Sequence, residues 1–195
     1  MASKGEATRE KLISEATRII RHRGFHNTSV NDLVAATGIK KGSLYFHFPG
    51  KDALGLAVLE RARERFLEFF SASLQGPTPG EALHNFLDAV VAYHRRHGFV
   101  GGCIFGNTAL EMGDGKECFG SLADQVFREM ADRLHDVLLA AQQTGQVRDD
   151  LPAEALANQV VITLEGGIML ARLRKDERPL RQAFDTLETL LKLSR

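Results

Sequence analysis

Apolar residues recur every three to four positions along almost the whole chain, and no stretch alternates apolar and polar with the two-residue period of a strand. That pattern confines the fold to helices packed on helices. A first helix is expected from about Glu6 to Arg23, with Leu12, Ile13, Ala16, Ile19 and Ile20 along one stripe and Gly24 as its stop. Thr28 or Ser29 can cap a short second helix carrying Val30, Leu33 and Val34, which Thr37-Gly38-Ile39 breaks. A third short helix covers Lys40 to His47, and Pro49-Gly50 reads as a turn. A long fourth helix runs from Lys51 towards Leu74, and QGPTPG at 75–80 is the clearest linker-like loop. Further helices are expected over Glu81–His97, Cys103–Met112, Lys116–Thr144, Ala153–Arg174 and Pro179–Leu193.

The formal net charge of the 195 residues is zero, but it is unevenly spread. Residues 1–51 hold nine Lys/Arg against four Asp/Glu, and the remainder 16 against 21. A basic amino-terminal end on an acidic body suggests nucleic-acid binding at that end. Two cysteines, Cys103 and Cys118, are too few for a disulfide framework. The start, MASKGEATREKL, has no apolar segment of signal-peptide type. No uninterrupted run of about 18 apolar residues is present, so no membrane span is expected. A cytoplasmic protein with reduced thiols is the expectation.

The decisive stretch is 24–54, GFHNTSVNDLVAATGIKKGSLYFHFPGKDAL. Two short helices joined by a glycine-containing turn make a helix-turn-helix. Gly38 can adopt the left-handed conformation that turns the chain sharply. Leu33, Val34, Ile39 and Leu44 are placed to lock the helices where they cross. The third helix then keeps Lys40, Lys41, Ser43, Tyr45 and His47 available to enter a major groove, with Lys51 as a cation beside them.

In this stretch the sequence resembles the TetR/AcrR family of bacterial repressors. The resemblance lies in Gly24-Phe25, Thr28-Ser29-Val30, Asp32-Leu33, Gly38-Ile39, Lys41-Gly42-Ser43-Leu44-Tyr45, His47-Phe48, Lys51 and Leu54. Val34 stands where the family usually has a smaller residue, and Pro49-Gly50 before Lys51 is also unusual. The resemblance implies an all-α protein: a three-helix helix-turn-helix DNA-binding domain, residues 1–50, on a larger helical ligand-binding and dimerisation domain, residues 51–195. It implies a homodimer on double-stranded, palindromic operator DNA, released when a small-molecule effector moves the long fourth helix. Thr28 and Lys51 then look like phosphate clamps, Lys41, Gly42, Ser43 and Tyr45 like the recognition surface, and His47 like a phosphate contact.

Beyond residue 55 side-chain reasoning carries more of the argument. Phe66, Phe70, Phe86, Tyr93 and Phe127 are candidates for an apolar ligand pocket, with plain core packing as the alternative for each. In GGCIFGNTALEM, Cys103, Asn107 and Glu111 are spaced to share one helix face as a polar stripe, a costly arrangement unless it meets solvent, protein or ligand. The segment resembles the Gly-Cys stretch of a TetR subgroup, some members of which sense electrophiles or oxidants. A helix N-terminus would favour thiolate at Cys103; a small buried hydrophobe is the alternative. Leu164, Gly167 and Leu170, with Phe184, Leu187 and Leu191, are the expected dimer interface, Gly166-Gly167 marking a close helix crossing.

Three other readings compete. An enzyme built on Cys103, His94, His97 and Glu111 lacks any nucleophile signature. A metal site at His84, His94 and His97 lacks finger spacing. A structural helical dimer indifferent to DNA leaves the basic motif unexplained. No cofactor, metal or catalytic residue is therefore expected.

Overall fold

The computed structural model describes residues 3–193. Among them lie nine α-helices and no strand: α1 (Lys4–Arg23), α2 (Val30–Thr37), α3 (Lys41–His47), α4 (Lys51–Ser73), α5 (Pro79–Arg96), α6 (Ile104–Met112), α7 (Glu117–Gln143), α8 (Ala153–Arg174) and α9 (Arg178–Leu191). Local chemistry sets their ends. Ser3 and Glu6 form a reciprocal capping box, so α1 starts two residues before the expected Glu6. Gly24, at φ 83°, closes it. Ser29, rather than Thr28, caps α2: the Asp32 N–H donates to Ser29 Oγ at 3.1 Å and the Ser29 N–H to Asp32 Oδ2 at 2.7 Å. Thr78 caps α5 with Pro79 in the first turn, where its missing N–H costs nothing, so that helix also starts before the expected Glu81.

The packing divides the chain into two units. One unit comprises α1–α3, α4 as far as Arg65, α6, and α7 as far as Ala123. Its interior holds Leu12, Ala16, Leu33, Leu44, Leu54, Val58, Phe105 and Phe119, all nearly inaccessible. Gly55 sits under two rings: a Cβ there would collide with Phe25 and lie 3.1 Å from Phe119. A segment distant in sequence, α6 with the start of α7, thus completes the core beneath the amino-terminal helices.

The other unit comprises α4 from Phe66, α5 through Cys103, and α7 from Asp124 onward with α8 and α9. Its core includes Phe70, Phe86, Met130, Leu134, Leu138, Val160, Leu164, Leu180 and Phe184. The residues expected at a dimer interface need correction here. Leu164, Gly167, Phe184, Leu187 and Leu191 are buried within the chain's own unit; Leu170 alone is exposed, at 37%. A Cβ on Gly167 would lie 2.8 Å from Leu180 Cδ1 and 3.3 Å from Ala183 Cβ, so the close crossing marked by that glycine is α8 on α9. The solvent side of α8 instead carries Ile162, Gly166, Met169, Leu170 and Leu173, and nothing lies within 4 Å of a Cβ on Gly166. By length and composition α8 could cross a membrane. Its apolar residues divide between a packed inner face and this outer stripe, as in a helix with two partners.

Candidate nucleic-acid interface and effector region

Gly38 ends α2 in the left-handed conformation, φ 67°, with its N–H donating to Val34 O at 2.9 Å. Of the residues expected to lock the crossing, Leu33 and Leu44 are buried and Val34 and Ile39 half-buried. Leu44 is the buried residue of α3. Lys40, Lys41, Gly42 and Tyr45 stand in solvent, and Ser43 and His47 are half-exposed. Phe46 is 85% exposed, beside His47 with ring centroids 5.2 Å apart. Sequence reasoning passed over Phe46, although Leu44 and Phe48 at i and i+4 both face the core and leave the residue between them on the opposite side.

Two residues expected to contact phosphate have partners within the fold. Thr28 is wholly buried and its hydroxyl donates to Gly24 O at 2.7 Å, so its side chain cannot reach a phosphate. Lys51 is half-buried, with Nζ 4.3 Å from the Phe25 ring centroid and 3.4 Å from His26 O. Burial, then the nearby Lys116 charge, holds its ammonium below the usual lysine range. Glu111, expected to line a ligand site, lies in the same unit. It accepts from the N–H groups of Phe25 and His26 at 2.8 and 3.0 Å. Asn107 is half-buried on the same helix, α6.

The remaining expected effector residues come together in the other unit. Phe70 and Phe86 are fully buried with ring centroids 4.6 Å apart, which makes them core. Phe66 lies 5.8 Å from Phe70, and Phe66, Phe127 and Cys103 pack against that core while staying partly open. Tyr93 stacks near Phe69, at 5.5 Å, and His97, at 4.4 Å. One residue was missed: Glu165 on α8. Burial pushes its carboxyl up to about 7, and a hydrogen bond from Cys103 partly offsets that rise. Its signal was a lone carboxylate inside the apolar run ITLEGGIML. Cys103 and Cys118 are both free thiols. His84 Nδ1 is 3.0 Å from Glu188 Oε1 and His97 Nδ1 is 2.7 Å from Tyr93 O. Among the described residues no three His, Cys, Asp or Glu side chains gather as a metal-ligand set.

Comparison with known proteins bears on both units. Residues 12–58 match the model of bacterial regulatory proteins of the tetR family, and residues 79–187 that of the tetracyclin repressor-like C-terminal domain. The HTH-type transcriptional repressor DhaR of Mycobacterium sp. (strain GP1) is 26% identical over 176 residues, covering 89% of this chain and 87% of DhaR. The HTH-type transcriptional regulator LmrA of Bacillus subtilis is 28% identical over 187 residues, covering 95% and 97%. A crystal structure of a TetR transcriptional regulator from Chloroflexus aurantiacus superposes with a TM-score of 0.89 at 32% identity, covering 98% of this chain and 99% of that one. The helix-turn-helix and the helical body that carries it both match along nearly their whole length, and the chain belongs to the TetR family of transcriptional regulators.

Proposed function

We propose that the protein is a ligand-responsive transcriptional repressor. It binds a palindromic operator as a homodimer in the cytoplasm and is released by a small-molecule effector. The observation that carries this is the outward row of α3, where Lys41, Tyr45 and Phe46 stand in solvent around a helix anchored by buried Leu44. Cations there suit phosphates, the Tyr45 hydroxyl can hydrogen-bond a base edge or phosphate, and an exposed ring suits a thymine methyl. Gly42 lets the backbone approach closely. Lys40, Ser43 and His47 flank the row, and Lys51 supports the turn beside it. A two-fold dimer would set two such helices about one DNA turn apart, roughly 34–36 Å.

The outer stripe of α8 is the face for that dimer. Ile162, Met169 and Leu173 are 64%, 54% and 77% exposed, and Gly166 between them lets a second copy of the helix approach. The half-open cluster of Phe66, Tyr93, Cys103 and Phe127 is the place for the effector. Nothing in this function calls for catalysis. The test is affinity for duplexes from the promoter region, measured against salt. Tight binding that falls steeply with salt supports the reading, and equal, weak binding to every duplex sinks it.

A second reading keeps the DNA-binding role but makes the signal an electrophile or oxidant attacked by Cys103. The hydrogen bond from Cys103 to the half-buried Glu165 favours it, because the carboxylate is placed to take the thiol proton as sulfur attacks. Alkylation followed by mass spectrometry, with Cys103→Ser as control, distinguishes this from reversible binding.

A further inference from the structure

We propose that Glu111 is a positioning residue for operator recognition, the latch by which α6 holds the turn that orients α2 and α3. This rests on the DNA-binding reading above and adds a residue that lies outside the recognition helix.

The placement of Glu111 is odd for its own helix. It is the second-last residue of α6, where unpaired carbonyls make the helix end partly negative and a carboxylate is disfavoured. Its stabilisation comes from the turn between α1 and α2. The Phe25 N–H donates to Glu111 Oε2 at 2.8 Å and the His26 N–H to Oε1 at 3.0 Å, so two successive amides hold both oxygens. Hydrogen bonds to an ionised acceptor are the strong kind. The backbone of the same residue is held as well, with His26 Nε2 3.1 Å from Glu111 O.

The turn is shaped for this acceptor. Gly24 has φ 83°, and a Cβ there would stand 2.6 Å from Glu111 Oε1. Glycine at 24 therefore both stops α1 and clears space for a carboxylate from a residue far along the chain. The turn's remaining carbonyl, His26 O, faces Lys51 Nζ at the start of α4. One short turn is thus gripped by α6 through Glu111 and by α4 through Lys51. Val30, where α2 begins, is four residues beyond His26, so a shift of the turn shifts α2 and, through the locked crossing, α3.

The other end of α6 follows directly on Gly101-Gly102-Cys103, where both glycines have positive φ, 84° and 61°. Chain continuity alone therefore links the cysteine proposed for the effector site to the latch residue, eight positions along.

The experiment compares wild type, Glu111→Gln and Glu111→Ala. A duplex is first selected with wild-type protein from a randomised pool. Each variant is then measured on that duplex and on a scrambled one, with amide hydrogen exchange at Phe25 and His26 read in parallel. The expected result is about a tenfold fall in the selected-to-scrambled affinity ratio for Glu111→Ala, and a smaller fall for Glu111→Gln. Affinity for the scrambled duplex should be unchanged, and exchange at both amides faster. An unchanged ratio with unchanged exchange overturns the latch. If wild type enriches no duplex, the DNA reading fails by itself and exchange still decides whether Glu111 holds the turn. Should Glu111→Ala not fold, Glu111→Gln, which keeps the shape and one acceptor oxygen, carries the comparison.

Discussion

Helices α3 and α8 both leave large apolar side chains in solvent, and the neighbours of those side chains differ. On α3, Tyr45 and Phe46 stand among Lys40, Lys41 and His47. On α8, Ile162, Gly166, Met169 and Leu173 follow one another on a single face with no charged residue in the row. An exposed ring beside two lysines suits a polyanion that also offers apolar surface, as duplex DNA does. An uncharged stripe with a bare glycine suits another apolar helix, and a copy of itself is the partner always at hand. Exposure of apolar surface therefore marks both faces, and charge tells them apart.

The comparison can be broken most forcefully at α8. Ile162→Asp puts an unpaired carboxylate into the proposed dimer face and should weaken self-association by about 100-fold, seen by sedimentation, with helix content retained. An unaltered dimer would move the interface elsewhere. Glu165 sharpens the picture of the same helix. Its carboxyl is raised from an ordinary 4.5 to about 7, so the folded state prefers the protonated form. The cost of ionising it is absent below pH 4.5, grows as pH rises towards 7, and is constant above; it amounts to about 3 kcal/mol. Glu165→Gln should remove that loss, so wild type and variant should have denaturation midpoints that converge below pH 4.5 and separate at pH 8. Parallel curves would mean that the carboxyl is ionised at no such cost.

Gly167→Leu separates the two sides of α8. The added side chain must displace Leu180 and Ala183, so the variant should lose about 1–3 kcal/mol of protomer stability in urea unfolding. Weakened association with no loss of stability would restore Gly167 to the dimer face. On α3, Tyr45→Ala and Phe46→Ala should each cost about tenfold in affinity for a selected duplex and leave the dimer intact, by fluorescence anisotropy. The smallest effect is expected from Lys41→Ala: binding to all duplexes weakens alike, and the salt slope becomes shallower by about one. A change in sequence preference instead would make Lys41 a reader of bases.

The amino-terminal half of this comparison was legible in the sequence because short-range rules govern it. Gly38 had to turn, Leu33 and Leu44 had to pack, and a seven-residue helix has few ways to present what remains. The chemistry of α8 was legible only to the level of the helix. Its apolar residues cover most of its circumference, so periodicity could not say which of Ile162, Leu164 or Gly167 faced inward; α9 decided that by occupying one side. The partners of Thr28 and Glu111 were hidden for a related reason. A polar residue in a motif looks available until its partner is known, and the partner of Glu111 lies about 85 positions away in sequence. The Cys103–Glu165 pair is likewise a tertiary fact, although the solitary glutamate among apolar neighbours was visible.

Helix α4, the 23 residues from Lys51 to Ser73, begins beside the reading turn and ends in the other unit. At 1.5 Å per residue it is a rod about 35 Å long. One unbroken ladder of backbone hydrogen bonds therefore carries Leu54 and Val58 in one core and Phe70 in the other, so a single helix contributes side chains to two separate interiors.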